Sequence, residues 1–164
     1  GCVIEFMGDA IFAVFGAPQY LADHAENAVR CAIDMRARLS DLYKDMEQSG
    51  ITRYWKSDAI REIGARIGIH TGHVVAGNLG SDKRMKYSVI GNTVNVAAHL
   101  ETLNKELHSD ILLSRDVYTM LPDDLAKEML KQGDYRVKGR EQAITVYSVE
   151  KPRPKLSLLS GNAS

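Results

Sequence analysis

Cysteine is scarce in this chain. Only Cys2 and Cys31 occur among 164 residues, too few for a disulfide framework, so a reducing, cytoplasmic setting is the expectation. Neither sign of charge is in excess, since 21 Lys and Arg balance 21 Asp and Glu. That removes the broad basic field on which nucleic acid or an anionic membrane would draw. No apolar run approaches the roughly 20 residues that span a bilayer, and no secretory leader is visible. Internal repeats, heptads and Cys/His sets at zinc spacing are also absent. His70 and His73 lie three apart in an extended stretch, where their side chains point to opposite faces and make a poor chelate. The chain opens on Gly1 inside a strand-like segment. We expect the C-terminal part of a longer polypeptide with an upstream regulatory domain, this segment lying on the cytoplasmic side if the whole is membrane-anchored.

What is present is ordinary globular material, 45% hydrophobic and 26% charged, enough for one domain with a real core. The pattern divides into a folded unit over residues 1–150 and a flexible tail over 151–164. Cys2–Phe6 and Ala10–Phe15 read as two strands joined at Met7-Gly8-Asp9. From Asp23, a candidate N-cap, to Gln48 the apolar residues Ala25, Val29, Ala32, Ile33, Leu39 and Leu42 recur at helical spacing. Residues 51–62 read as a surface loop, with Trp55 folded back on the body. Arg66 to Glu101 reads as a strand, a glycine-rich turn, a second strand and a Gly91-Asn92 turn into a helix. Asp110–Ser114 is a short strand, and Ser114 starts a short helix that ends near Leu121-Pro122. Tyr135–Lys138 and Ala143–Val149 form a final antiparallel pair around Gly139. The predicted class is α+β, with helices packed on a mostly antiparallel sheet.

Several residues in this frame carry chemistry. Asp9, in a strand–strand turn after glycine, is a carboxylate held outward, and a hard cation takes one or two such groups plus substrate phosphates. A plain turn aspartate is the competing reading. Asn95 and His99 stand one helical turn apart on the same face, with Ser88 just before the helix. An asparagine so near a helix start can equally be a cap.

Two motifs, GDAIFAVFGAP at Gly8–Pro18 and YSVIGNTVNVAAHLE at Tyr87–Glu101, resemble the catalytic domain of class III nucleotidyl cyclases, the adenylyl and guanylyl cyclases. The resemblance runs from Val3 to about Val149 and implies a ferredoxin-like α+β fold. It implies a homodimer with active sites at the interface, each monomer being inactive alone. It also implies a site for two metal ions, Mg²⁺ or Mn²⁺, with Asp9 as one ligand and a second aspartate on a strand upstream of this sequence. This segment, without that strand, would then be inactive by itself.

By the same resemblance Glu5 and Ser88 occupy the positions that choose the base. A carboxylate only accepts hydrogen bonds. Guanine offers N1–H and N2–H₂ donors to it, whereas adenine N1 would face it as a second acceptor. Glu5 thus favours GTP over ATP, unless it is simply a strand glutamate facing water, and Ser88 suits either base. Asn95 matches the asparagine that orients the ribose. His99 departs from the pattern, which has arginine there to stabilise charge on the reacting phosphate. A histidine has one donor when neutral and a shorter reach, so a weaker substitute, a neighbouring basic stand-in and a degenerate activity all stay open. Lys138, flanked by Arg136 and Arg140, matches a lysine that reaches the triphosphate, although such clusters are often only solvated surface. The implied reaction turns a nucleoside triphosphate into its 3′,5′-cyclic nucleotide and pyrophosphate for signalling. The alternatives are an adenylyl cyclase using ATP and a non-catalytic cyclase-homology dimerisation module.

Overall fold

The computed structural model describes residues 1–54, 64–81, 84–136 and 143–149. In chain order the elements are β1 (Cys2–Met7), β2 (Ala10–Val14), α1 (His24–Gln48), a 3₁₀ turn (Ile51–Tyr54), β3 (Ile67–Ile69), β4 (Val75–Ser81) and β5 (Arg84–Ile90). They continue with α2 (Asn92–Leu107), β6 (Ile111–Ser114), α3 (Arg115–Tyr118), α4 (Asp123–Ala126), β7 (Met129–Tyr135) and β8 (Ile144–Val149). β3, β6, β8 and β7 hydrogen-bond in that order as a four-stranded sheet, while β1–β2 and β4–β5 form separate two-stranded ribbons.

The sheet is a middle layer. Ile111 and Leu113 of β6 pack with Ala25, Val29 and Ala32 of α1. Leu112, between them, packs with Val96, Leu100 and Leu103 of α2. Because neighbours on a strand face opposite ways, α1 and α2 cover opposite faces. This explains why β6 is buried at all four positions and reads as an unbroken apolar run, as strands covered on both faces do.

The α+β class is as expected, and four details differ. β3 and β6 pair in parallel, because the β4–β5 ribbon and α2 together form a crossover long enough to return the chain in the same direction. Between Arg66 and α2 there are three strands instead of two, Gly77 and Gly80 lying within β4 and not in a turn. The last antiparallel pair is Met129–Tyr135 against Ile144–Val149, so its first strand begins six residues before the expected Tyr135. Polar Lys131 and Gln132 and an irregularity between Lys131 and Gly133 break the alternation that would have revealed it. The single short helix after Ser114 is two four-residue helices, with Pro122 as the N-cap of the second. Ser114 does cap the first, its side chain accepting from the Val117 amide. Asp23 holds the N-cap position of α1 without a side-chain cap bond; its carbonyl instead accepts from the Asn27 amide and side chain. Trp55, Gly139 and the tail over 151–164 lie outside the described residues.

The helix α2 is set against β3 by backbone contact. A Cβ on Gly68 would collide with the Ala97 carbonyl oxygen and the Glu101 amide nitrogen, neither of which can turn aside as a side-chain tip can. Around this contact Thr93 Oγ1 donates to the His73 carbonyl at 2.8 Å, and Arg66 Nε pairs with Glu101 Oε1 at 2.9 Å. Gly68→Ala must therefore push α2 outward and loosen the Val96–Leu100–Leu103 layer. We expect a loss of at least about 2 kcal/mol, within the usual range for overpacking, read as a lower guanidinium midpoint at unchanged slope.

Candidate functional site

The β1–β2 ribbon carries two of the six candidates. Its turn is Gly8-Asp9, between the paired residues Met7 and Ala10, and Gly8 takes φ +66. That value suits the first central position of a tight hairpin turn, where glycine carries no steric penalty. Asp9 is exposed at this tip, and the space over Gly8 is open to at least 4 Å. Among the described residues no three His, Cys, Asp or Glu side chains gather as a metal-binding group. Asp9 is thus one accessible carboxylate, which fits a Mg²⁺ or Mn²⁺ ion that takes most of its other ligands from substrate phosphate and water.

Glu5 lies further back on β1, beside an irregularity between Val3 and Glu5. Its carboxylate pairs with Lys86 Nζ on β5, the two side chains being 44% and 48% exposed. Lys86 precedes Ser88 by two residues on the strand and so shares its face. Ser88 stands opposite Gly77 in the β4–β5 register, and nothing lies within 4 Å of where a Gly77 side chain would begin. The structure therefore pairs Glu5 with Lys86 on the strand face that Ser88 shares, with open space over Gly77 opposite the serine. Lys86 was missed in the sequence. The available signal was a cation two positions before Ser88 on a strand, and nothing local indicates which carboxylate it meets across ribbons.

Asn95 and His99 are on α2. The helix begins at Asn92 after Gly91, which places Asn95 in the second half of the first turn and removes its cap reading. Asn95 is exposed and His99 half-buried; no hydrogen bond or ion pair engages either side chain within the described residues. Both are thus available to a ligand. Val96, Leu100 and Leu103, on the flank of that face, are buried, so core packing fixes how Asn95 and His99 are turned.

Lys138 and Arg140 fall outside the described residues; Arg136 is exposed at the end of β7. His70 is engaged in structure, its buried ring placing Nδ1 2.8 Å from Ser114 Oγ. Two concavities, of about 530 Å³ and about 910 Å³, are lined by other residues, the first around Thr71, Thr93 and Thr119 and the second along α1 from Asn27 to Leu42. None of Glu5, Asp9, Ser88, Asn95 and His99 lines either. Among the described residues, the candidates are distributed over two ribbons and one helix.

Comparison with known proteins gives this surface a setting. The profile of the adenylate and guanylate cyclase catalytic domain matches residues 2–151. Adenylate cyclase 1 of Rhizobium meliloti is 36% identical over 149 residues, which is 91% of this chain and 21% of that protein. The chain thus spans about a fifth of the length of that relative. Among solved structures, the adenylyl cyclase CyaB from P. aeruginosa aligns with a TM-score of 0.70 at 29% identity, covering 95% of this chain and 74% of that one. The guanylyl cyclase Cya2 aligns with a TM-score of 0.71 at 29% identity, covering 93% and 73%. With the cyclase motifs in order on this fold, the chain belongs to the adenylate and guanylate cyclase catalytic domain family.

Proposed function

We propose that this domain forms a 3′,5′-cyclic nucleotide and pyrophosphate from a nucleoside triphosphate, GTP in preference to ATP, at sites completed by a second copy of the chain. The observation that carries the base reading is the Glu5–Lys86 pair beside Ser88. Held by one ammonium, the Glu5 carboxylate keeps lone pairs for the N1–H and N2–H₂ donors of guanine. The Ser88 hydroxyl then donates to guanine O6. The Asn95 amide orients the ribose for in-line attack of the 3′-oxygen on the α-phosphorus, forming that P–O bond as the bond to the β-phosphate oxygen breaks. His99 donates to the phosphate oxygens that gain charge, and Lys138 reaches the triphosphate. Asp9 would hold Mg²⁺ or Mn²⁺, which when bound supplies Lewis-acid stabilisation of the phosphates.

Two features support a dimer. Asp9 and Asn95 are exposed, and the ribbons carry apolar side chains open to solvent: Phe6 is 70% exposed, Val75 68%, Met85 60% and Ile90 59%. Exposure on that scale marks an interaction face. A second reading, ATP as substrate, is favoured by Lys86 itself, whose ammonium can donate to adenine N1 if the pair with Glu5 opens.

The deciding assay supplies full-length protein with GTP or ATP and Mg²⁺ or Mn²⁺ and resolves the cyclic products. Cyclic GMP as the main product is expected; cyclic AMP with GTP inert would overturn the base assignment. Glu5→Gln, which replaces an acceptor oxygen with a donor facing guanine donors, should lower kcat/KM for GTP by roughly 10–100-fold while leaving the thermal midpoint nearly unchanged. His99→Arg should raise kcat on the order of 10²-fold if the histidine is a weak stand-in; an unchanged kcat would remove it from the phosphate site. Lys86→Ala should alter folding stability by less than about 1 kcal/mol, because the pair is half exposed, yet shift the ratio of GTP to ATP turnover.

A further inference from the structure

The side chain of Asn104 is the one polar group buried in α2 among the described residues, at 1% exposure. Its Nδ2 donates to the Ile67 carbonyl of β3 at 3.0 Å and to the Leu100 carbonyl within the helix at 3.1 Å. Its Oδ1 accepts from Ser109 Oγ at 2.8 Å, just past the end of the helix. The Asn104 backbone carbonyl meanwhile accepts from the amides of His108 and Ser109, which close the helix with His108 in the left-handed region. One residue thus links the end of α2, the turn after it and the sheet.

Thr93 and Glu101 also tie α2 to the chain flanking β3, but at exposed positions where water competes; its remaining contacts with the sheet are less directional. Val96, Leu100 and Leu103 meet Leu112, Ile144 and Val146 through apolar surface, which tolerates small slides and rotations. Gly68 limits how close the helix comes and leaves its axial position free. A buried polar residue with every bond satisfied singles out one arrangement among several that apolar packing would accept.

We infer that Asn104 is a positioning residue that sets the register of α2 on β3, and through it the height of Asn95 and His99 above the sheet. Asn104 lies nine positions beyond Asn95 on a rigid helix, about 14 Å at 1.5 Å per residue, so a shift at its end is delivered undiminished to the ligand-facing residues. The kinetic consequence rests on the cyclase reading; the register itself does not.

The test compares Asn104→Leu and Ser109→Ala with the parent in the full-length protein, by hydrogen exchange of the amides in residues 92–107, thermal midpoint and steady-state kinetics. Asn104→Leu should accelerate exchange across α2 by roughly tenfold or more and lower kcat on the order of 10-fold to 100-fold, as small misplacements of reacting groups do. KM for the triphosphate should stay within about threefold and the midpoint within a few degrees. Ser109→Ala removes one bond and leaves the tie to Ile67. It should act in the same direction, more weakly and only over residues 100–107, and it decides the matter alone if Asn104→Leu does not fold. Unchanged α2 exchange in the folded variants, or acceleration spread evenly over the domain in step with a lowered midpoint, would overturn the assignment. A parent that makes no cyclic nucleotide would refute the cyclase reading, and the exchange comparison would still decide the register.

Discussion

The close approach of α2 to β3 at Gly68 is the constraint on which the rest of the molecule depends. Two backbones meet where no side chain fits, and that distance fixes how deep Val96, Leu100 and Leu103 reach into the sheet. It also sets which helix face is left to solvent. Asn95 is exposed and His99 half-buried because the adjoining Val96–Leu100–Leu103 side of α2 is committed to the core. Core packing and the face that carries Asn95 and His99 belong to one element, and neither can be moved without the other.

The ribbons follow a different logic. An isolated two-stranded ribbon is marginal in water, and each here has apolar side chains without cover in a single chain. The Glu5–Lys86 pair is a polar tie between them, worth little in stability because both partners reach solvent. Its value lies in direction, since it aims a carboxylate at the strand that carries Ser88. A surface with stiff core support on one side and weakly tied ribbons on the other suits a partner that completes it.

Much of this was legible in the sequence, for identifiable reasons. α1 was readable because Ala25, Val29 and Ala32 recur at helical spacing, and β1–β2 because Gly8-Asp9 separates two apolar runs. The positions of Glu5, Asp9, Ser88, Asn95 and His99 came from the resemblance of two motifs to the cyclase family, and the folded chain puts them on β1, the β1–β2 turn, β5 and α2. β7 escaped because Lys131, Gln132 and a kink near Gly133 hide its alternation, and its pairing is declared only by β8, far along the chain. Lys86 and Asn104 escaped for a related reason. Each is an ordinary polar residue in local context, and its role depends on a partner, Glu5 or Ile67, that only the folded chain brings near.

The charge pair on the ribbons bears on how such a domain could vary in evolution. Exchanging Glu5 for lysine alone would set two ammonium groups against each other, and exchanging Lys86 alone would leave a carboxylate without its counter-ion. Either single step passes through an unbalanced site, whereas a joint exchange keeps the balance. Charge at this place is therefore shared by two residues on two strands, and a lineage that altered one would be expected to alter the other with it.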